Sequence, residues 1–327
     1  MPTDSRPFPT RVNHRLEYLA ARVLGGTLGL LPRRSRLALG RVLGGLVFAL
    51  DAKHRAVTLD NIDRAFSGTK TAEEKRAIAR GTFRHFGAMF FELASLRGLS
   101  ERKVEKMVEF EGLEHYQRAR KTGRGVLLVA AHFGNWEIHA IAHGYRLGPM
   151  AVVARLQDNP HYNRWLEALR KVSGNVVLYK QRALARMMRW LKDGGTVAVL
   201  VDQNVAREDG VFVDFFGRKA ATTPVASWLA VKTGAALVPV FTLPLADGRY
   251  RLIYEEPIDG QVHQALGRQQ TVQELTQRCA SILEAYVRRN PEFWLWMHRR
   301  WKTRPAEETE EQADGAAAAA LRTGEAG

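Results

Sequence analysis

The sequence predicts an α/β protein: a β-sheet with helices on both faces, preceded by a helical segment of different composition. Three observations carry that prediction. From about residue 107 onward, short β-rich apolar runs alternate with helical stretches. Two of those stretches open on Asn159-Pro160 and Thr223-Pro224, a capping side chain followed by proline at the first helical position. Before residue 50 the apolar runs are interspersed with arginine instead.

Taken in order, residues 1–10 contain three prolines and read as a disordered lead-in. Leu19–Leu31 and Leu37–Leu50 are rich in Leu, Val, Ala and Gly, with Arg33, Arg34, Arg36 and Arg41 between or inside them. Each run is short for a bilayer span, and Arg22 interrupts the first. The basic residues continue beyond the apolar stretch, which argues against a cleaved signal peptide. Two amphipathic helices lying in a membrane interface fit better; the alternative is that they pack on the core. Thr71-Ala-Glu-Glu74 is a capping box, opening a long helix through about Leu96.

Strands are expected at Val108–Phe110, Gly125–Ala131, Met150–Ala154, Val176–Tyr179, Thr196–Val201, Ala236–Leu243 and Arg249–Glu255. Helices are expected at Trp136–Tyr145, Pro160–Val172, Arg182–Lys192, Pro224–Lys232 and Thr271–Arg289. From Pro305 the chain is acidic and then Ala-rich, a disordered tail. The expected organisation is an N-terminal helical segment over 1–55, a main domain over 56–304 and a tail over 305–327.

Composition narrows the function. The chain has 327 residues, 46% of them hydrophobic, which suffices for a real core and excludes wholesale disorder. A lone cysteine, Cys279, excludes a disulfide scaffold or a Cys-rich metal centre. The absence of any charge-free apolar run of about 18 residues excludes a polytopic membrane protein. A net charge of +15 suits nucleic acid, anionic lipid or an acidic partner protein.

The sharpest motif is Gly123–Glu137, GRGVLLVAAHFGNWE. An apolar strand ends at His132, Gly134 permits a tight turn, and a helix follows. Sites in open α/β sheets gather at such strand ends. Glu137 follows His132 by five residues, about 140° apart on one regular helix. Across a strand–turn–helix junction the two side chains can converge, with the carboxylate fixing the imidazole tautomer for general-base work. By spacing alone, such a pair also arises by chance. His139 and His143 share a helix face at metal-ligand spacing, but no HExxH signature accompanies them, and ordinary packing is the alternative.

Asp202-Gln203-Asn204 ends another apolar strand, placed to orient a polyhydroxylated substrate or the catalytic groups, or simply to cap a loop. The following Phe215-Phe216-Gly217 is either a buried hairpin or the wall of a hydrocarbon groove. Arg155 and Arg170 flank one strand–helix unit and are candidates for a forked phosphate contact, against the alternative of solvated surface arginines. PEFWLWMHRRWKT, residues 291–303, interleaves tryptophan with basic residues, suiting nucleic acid, a membrane interface or a core segment with a basic exposed side. No nucleic-acid-binding signature accompanies it.

As an ordered set, Arg55-AVTLDNI-Asp63, GRGVLLVAAHFGNWE, VDQN, VFVDFFGRKAATTP and PEFWLWMHRRWKTRP resemble the bacterial lipid A late acyltransferase family. These are the lauroyl/myristoyl transferases of lipopolysaccharide synthesis, in the lysophospholipid acyltransferase superfamily, with relatives acting on phosphatidylinositol mannosides. The resemblance spans roughly residues 10–304. It implies a glycerolipid-acyltransferase-like fold, a central mixed sheet flanked by helices, with a membrane-associated helical N-terminus. It implies a His-x-x-x-x-acid catalytic pair, His132 and Glu137. Arg170, with Arg155 as second choice, and Asp202, Gln203 and Asn135 fall on the substrate side.

The activity so implied moves a fatty acyl group from a thioester to a glycolipid hydroxyl, most simply on a lipid A precursor. Acyl carrier protein is the expected donor carrier and acyl-CoA the alternative. Backbone N–H groups near Gly134–Asn135, or an arginine, would stabilise the oxyanion. No metal, cofactor or nucleic acid is expected, and the expected location is the cytoplasmic face of the inner membrane. The competing readings are acylation of another phosphoglycolipid, a non-catalytic membrane-surface binding protein of the same fold, and a metal hydrolase. Two stretches depart from the family pattern: AREDG after Asn204, and Asp214 where proline usually precedes Phe-Phe-Gly.

Overall fold

The computed structural model describes residues 8–96, 98–180, 183–259 and 267–306. Four helices come first: α1 (Phe8–Leu30), α2 (Arg33–Leu50), α3 (Ala52–Ala65) and α4 (Ala72–Leu96). The expected lead-in therefore ends early. Phe8, Pro9 and Thr10 form the first turn of α1, where a proline removes no helical hydrogen bond. Residues 1–7 and, beyond Ala306, the expected tail lie outside the described residues. The capping box before α4 closes both ways, Thr71 N–H to Glu74 Oε2 at 2.7 Å and Glu74 N–H to Thr71 Oγ1 at 3.2 Å.

α2 does two things at once. Its inner face is keyed against α4 through glycines. A Cβ on Gly44 would lie 2.1 Å from the Phe83 carbonyl oxygen, and one on Gly87 would lie 2.3 Å from that of Gly40. Leu37 and Phe48 are buried beside this contact. Its outer face leaves Leu39, Val42, Leu43, Leu46, Val47 and Leu50 exposed, Leu50 at 82%. Among the described residues no helix is long and apolar enough to cross a membrane.

The rest of the chain builds a sheet and its covering. The elements in order are α5 (Glu101–Met107), β1 (Val108–Glu111), α6 (Leu113–Lys121), β2 (Val126–Ala130), α7 (Trp136–Leu147), β3 (Ala151–Ala154), α8 (Pro160–Arg170) and β4 (Val176–Tyr179). Then come α9 (Ala183–Lys192), β5 (Thr196–Leu200), a hairpin of β6 (Val211–Phe215) and β7 (Arg218–Thr222), α10 (Val225–Thr233), β8 (Ala236–Pro244), β9 (Tyr250–Tyr254) and α11 (Arg268–Arg289). The sheet is mixed, in the order β1-β9-β8-β2-β5-β3-β4. All its pairs are parallel except β8 with β9.

Side chains alternate across the strands, so both faces are buried. Leu128, Val152 and Val238 pack under α7 and α8, while Leu127, Val199 and Leu237 pack under α9, α10 and α11. A third, aromatic cluster sits beyond the carboxyl end of the central strands and includes Phe83, Phe133, Phe215, Phe216, Trp294 and Trp296. The tryptophan-rich C-terminal segment is thus core. Trp294, Trp296 and Trp301 are at most 6% exposed, so they offer no surface to a membrane or a nucleic acid. Arg299 and Lys302 form its basic exposed side. The Phe-Phe-Gly stretch is the buried hairpin.

Candidate active site

Register brings the two central strand ends together. β2 and β5 run parallel with Ala130 opposite Leu200. Two residues further along each strand stand His132 and Asp202. The chain turns sharply after His132 at Gly134, where φ is +61° and a Cβ would fall 1.6 Å from the Thr242 carbonyl oxygen. Only glycine fits there. The C-terminal segment straps the turn like an added strand: Gly134 N–H donates to the Phe293 carbonyl at 2.9 Å, and Leu295 N–H to that of His132 at 3.0 Å.

Asp202 is buried and accepts three hydrogen bonds. Its Oδ1 lies 2.8 Å from His132 Nδ1, and its Oδ2 accepts from His132 N–H at 2.9 Å and Trp294 Nε1–H at 2.8 Å. A carboxylate can only accept, so His132 carries its proton on Nδ1 and presents Nε2 as a base. Burial disfavours the charged imidazolium, but Asp202's charge and hydrogen bond, helped by Glu137, outweigh it and raise the His132 pKa. Burial likewise works against the Asp202 carboxylate, yet His132 and Trp294 hold its pKa below the ordinary carboxylate value.

The carboxylate that orients His132 is therefore Asp202, which corrects the expectation placed on Glu137. Glu137, at the second position of α7, is gripped by Arg170 from the last turn of α8. Arg170 Nη2 lies 2.6 Å from Oε1 and Nε lies 3.1 Å from Oε2. The five-residue spacing does bring Glu137 near enough for its charge to act on His132, but the forked guanidinium takes its oxygens. Arg170 is largely buried, not a solvated surface residue.

Other expected positions divide. Asn135, expected on the substrate side, is fully buried instead, and both ends of its amide are used. Its Oδ1 caps α7 by accepting from Ile138 N–H at 3.1 Å, and its Nδ2 donates to Glu92 Oε2 at 3.2 Å. Arg155 is also displaced from the site: its side chain is 80% exposed, with Asp158 at 3.8 Å. Gln203 is exposed beside Asp202, and Asn204 is tied into the fold through His298 and Thr303. His139 and His143 lie on the buried face of α7, against β8 and β9, with Nδ1 atoms 3.1 Å from Thr242 Oγ1 and 3.0 Å from Tyr254 Oη. Burial pushes them down to about 4 and about 3. Among the described residues, no three potential metal-ligating side chains of His, Cys, Asp or Glu gather.

Next to Glu137, Arg170 and Trp136 an apolar pocket opens between the sheet and α7. Its walls include Leu128, Ala130, Met150, Val152, Ala198 and Val240, and it holds about 620 Å³ with its open mouth included. Gly134 N–H is spent on Phe293, so it drops out as an oxyanion donor. The first helical N–H groups, those of Trp136 and Glu137, have no carbonyl one turn back and point from the positive end of α7. A positive helix terminus and an arginine thus border an apolar cavity, and the base stands next to its wall, the His132 ring 4.9 Å from that of Trp136, an arrangement suited to acyl transfer. Three further residues hold the turn at Gly134: Trp294 through Asp202, and His85 and Glu92 of α4 through the Gly134 carbonyl and the Asn135 amide. No spacing signal announces them, because each is distant in the chain from His132.

Comparison with known proteins agrees. The family model described as bacterial lipid A biosynthesis acyltransferase matches residues 7–303. The lipid A biosynthesis lauroyltransferase of Escherichia coli (strain K12) is 28% identical over 82% of this chain and 85% of that protein. The palmitoleoyltransferase of the same organism is 28% identical over 83% and 86%. The phosphatidylinositol mannoside acyltransferase of Mycolicibacterium smegmatis is 24% identical over 72% and 75%. A 1-acyl-sn-glycerophosphate acyltransferase from Thermotoga maritima superposes over 78% of this chain and 98% of that one, at 20% identity and a TM-score of 0.34, too loosely to carry weight. With the family model spanning nearly the whole chain, the protein belongs to the bacterial lipid A biosynthesis acyltransferase family and is an acyltransferase.

Proposed function

We propose that the protein moves a fatty acyl group from the thioester of acyl carrier protein to a hydroxyl of a lipid A precursor, at the cytoplasmic face of the inner membrane. The observation that carries this reading is the His132–Asp202 pair beside the apolar pocket. The acceptor hydroxyl gives its proton to His132 Nε2 as its oxygen attacks the thioester carbonyl carbon. Asp202 stabilises the imidazolium so formed. The oxyanion faces the N-terminus of α7 and the guanidinium of Arg170. Collapse breaks the carbon–sulfur bond, and the departing thiolate recovers the proton from Nε2. Side chains and backbone suffice for these steps. Arg170, held on one edge by Glu137, offers its other edge to a phosphate of donor or acceptor.

Two surface features support the partners. The net charge of +15 favours an acidic carrier protein as well as anionic lipid. The exposed apolar face of α2, with Arg34 and Arg41 also exposed on that helix, suits an interface-bound helix. The test uses purified protein with acyl carrier protein and CoA thioesters of one chain length, offered a lipid A precursor or a phosphatidylinositol mannoside, with products weighed by mass spectrometry. Transfer to the precursor from the carrier protein is expected. Equal use of the CoA thioester would remove the carrier protein, transfer only to the mannoside would remove lipid A, and binding without transfer would make this a non-catalytic member of the fold. Separately, Leu43→Asp with Leu46→Asp should abolish sedimentation with anionic vesicles while transfer to detergent-dispersed acceptor persists.

A further inference from the structure

The catalytic turn is held from behind by α4 at two points. His85 Nε2 donates to the Gly134 carbonyl at 3.1 Å; burial pushes this histidine down to about 4, so it is neutral. Two turns later on the same helix face stands Glu92, a carboxylate with no exposed surface. One of its oxygens accepts from Arg33 Nε at 2.5 Å. The other accepts from Asn135 Nδ2 at 3.2 Å and from the Tyr250 hydroxyl. Arg33 also donates to the Gly248 carbonyl and lies over the Tyr250 ring, 5.5 Å from its centroid. Arg36, a second arginine of α2, adds its charge toward Glu92.

One buried carboxylate thus joins three parts: α2, the strand β9, and the residue that caps α7. Asn135 stands two residues before Glu137 and three after His132. α2 is also keyed into α4 backbone to backbone at Gly40, Gly44 and Gly87. Such a contact does not deform smoothly, so a shift of α2 must move the groups attached to it. A carboxylate buried this deeply is costly without its partners, so Glu92 follows Arg33 and Asn135 together. The opposite face of α2 is the exposed apolar one.

We propose that Glu92 and Arg33 are positioning residues that make the geometry of the catalytic turn depend on how α2 is seated, so that docking of α2 on an anionic lipid surface raises turnover at His132. The inference rests on the reading of the protein as a membrane-surface acyltransferase. It adds a coupling between the lipid surface and the reaction that neither the membrane contact nor the catalytic pair requires by itself.

The experiment adds vesicles of phosphatidylcholine and phosphatidylglycerol to the full chain and to Arg33→Met, Glu92→Gln and Asn135→Ser. Amide hydrogen exchange and transfer kinetics are then followed. In the native protein, vesicles should slow exchange over residues 132–139 as well as over 34–50, and should raise kcat. In Arg33→Met and Glu92→Gln, protection should remain over 34–50 but vanish over 132–139. Vesicle-stimulated kcat should fall roughly 10- to 100-fold, the cost of a slightly misplaced catalytic group, with little change in the donor KM. Asn135→Ser keeps the helix cap and loses the amide that donates to Glu92 and to the Tyr250 hydroxyl, so it serves if the other variants do not fold. The proposal is overturned if vesicles leave residues 132–139 of the native protein unaffected, if they do not bind, or if the folded variants keep the native loop response. A native protein that transfers nothing would instead overturn the acyltransferase reading, and the exchange measurement would still decide the coupling.

Discussion

His132 stands just past the end of β2, and His139 and His143 lie on the helix that follows. All three imidazoles have little solvent exposure, yet their proton affinities diverge. His132 is raised above its ordinary value, while His139 and His143 are pushed down to about 4 and about 3. The difference is the partner. His132 meets a carboxylate delivered by the register of β2 against β5; the other two meet the hydroxyls of Thr242 and Tyr254. Burial alone disfavours charge on a histidine, and a paired carboxylate reverses the outcome. One short stretch of chain thus holds a histidine whose proton affinity is raised, the proposed base, and two buried histidines whose proton affinity is lowered.

The largest expected effect follows from removing the base. His132→Ala should lower transfer by at least about 100-fold, as for the loss of a positioned general base, while His139→Gln should stay within roughly threefold of native. Steady-state rates of the two folded variants make the comparison, and a reversed order would break it. Next in size is Asp202→Asn, with a fall of about 100-fold or more, since the amide neither fixes the tautomer nor stabilises the imidazolium. Glu137 and Arg170 should behave as one unit. Glu137→Ala and Arg170→Ala should each impair turnover, and the double variant should be little worse than either, a non-additivity that kinetics on the double-mutant cycle would reveal. Arg170→Lys should not rescue, because lysine lacks the fork.

Smaller, and opposite in sign for the two kinds of histidine, is the dependence of stability on pH. His139 and His143 bind protons more weakly folded than unfolded. As pH falls below about 6.5 the unfolded chain takes up protons that the folded chain refuses, and stability drops toward pH 4. His132 is raised on folding, so its contribution is present below the unfolded value and is lost as pH rises through the folded one. Denaturant melts of His143→Phe should therefore show a flatter acid limb than native; an unchanged limb would mean that the buried histidines do not set it. The smallest effect is expected at Arg155, where alanine should leave transfer within about twofold, as for most solvent-exposed side chains.

Much of this was legible in the sequence. Strand ends at His132 and Asp202 follow from apolar runs stopping at polar residues, and Gly134 marked the turn. The pairing of the two ends was not legible, because only the order of strands in the sheet makes β2 and β5 neighbours. Glu137, close to His132 in sequence, drew the role that belongs to Asp202, seventy positions away. The helices α5 and α6 were missed because seven and nine residues show too little periodicity. Trp294 was visible as an aromatic, but its indole N–H on Asp202 depends on the C-terminal segment folding back across the sheet end.

The assignment of Asp202 as the orienting carboxylate is tested most directly by the pH dependence of kcat/KM for native protein, Asp202→Asn and Glu137→Gln. The base works when neutral, so the rate falls on the acid side through the pKa of His132. That limb should lie above 6.5 in the native protein. It should move far down in Asp202→Asn, where burial is opposed only by the smaller effect of the Glu137 charge, and only slightly down in Glu137→Gln. A limb that moves further in Glu137→Gln than in Asp202→Asn would contradict the account and return the orienting role to Glu137.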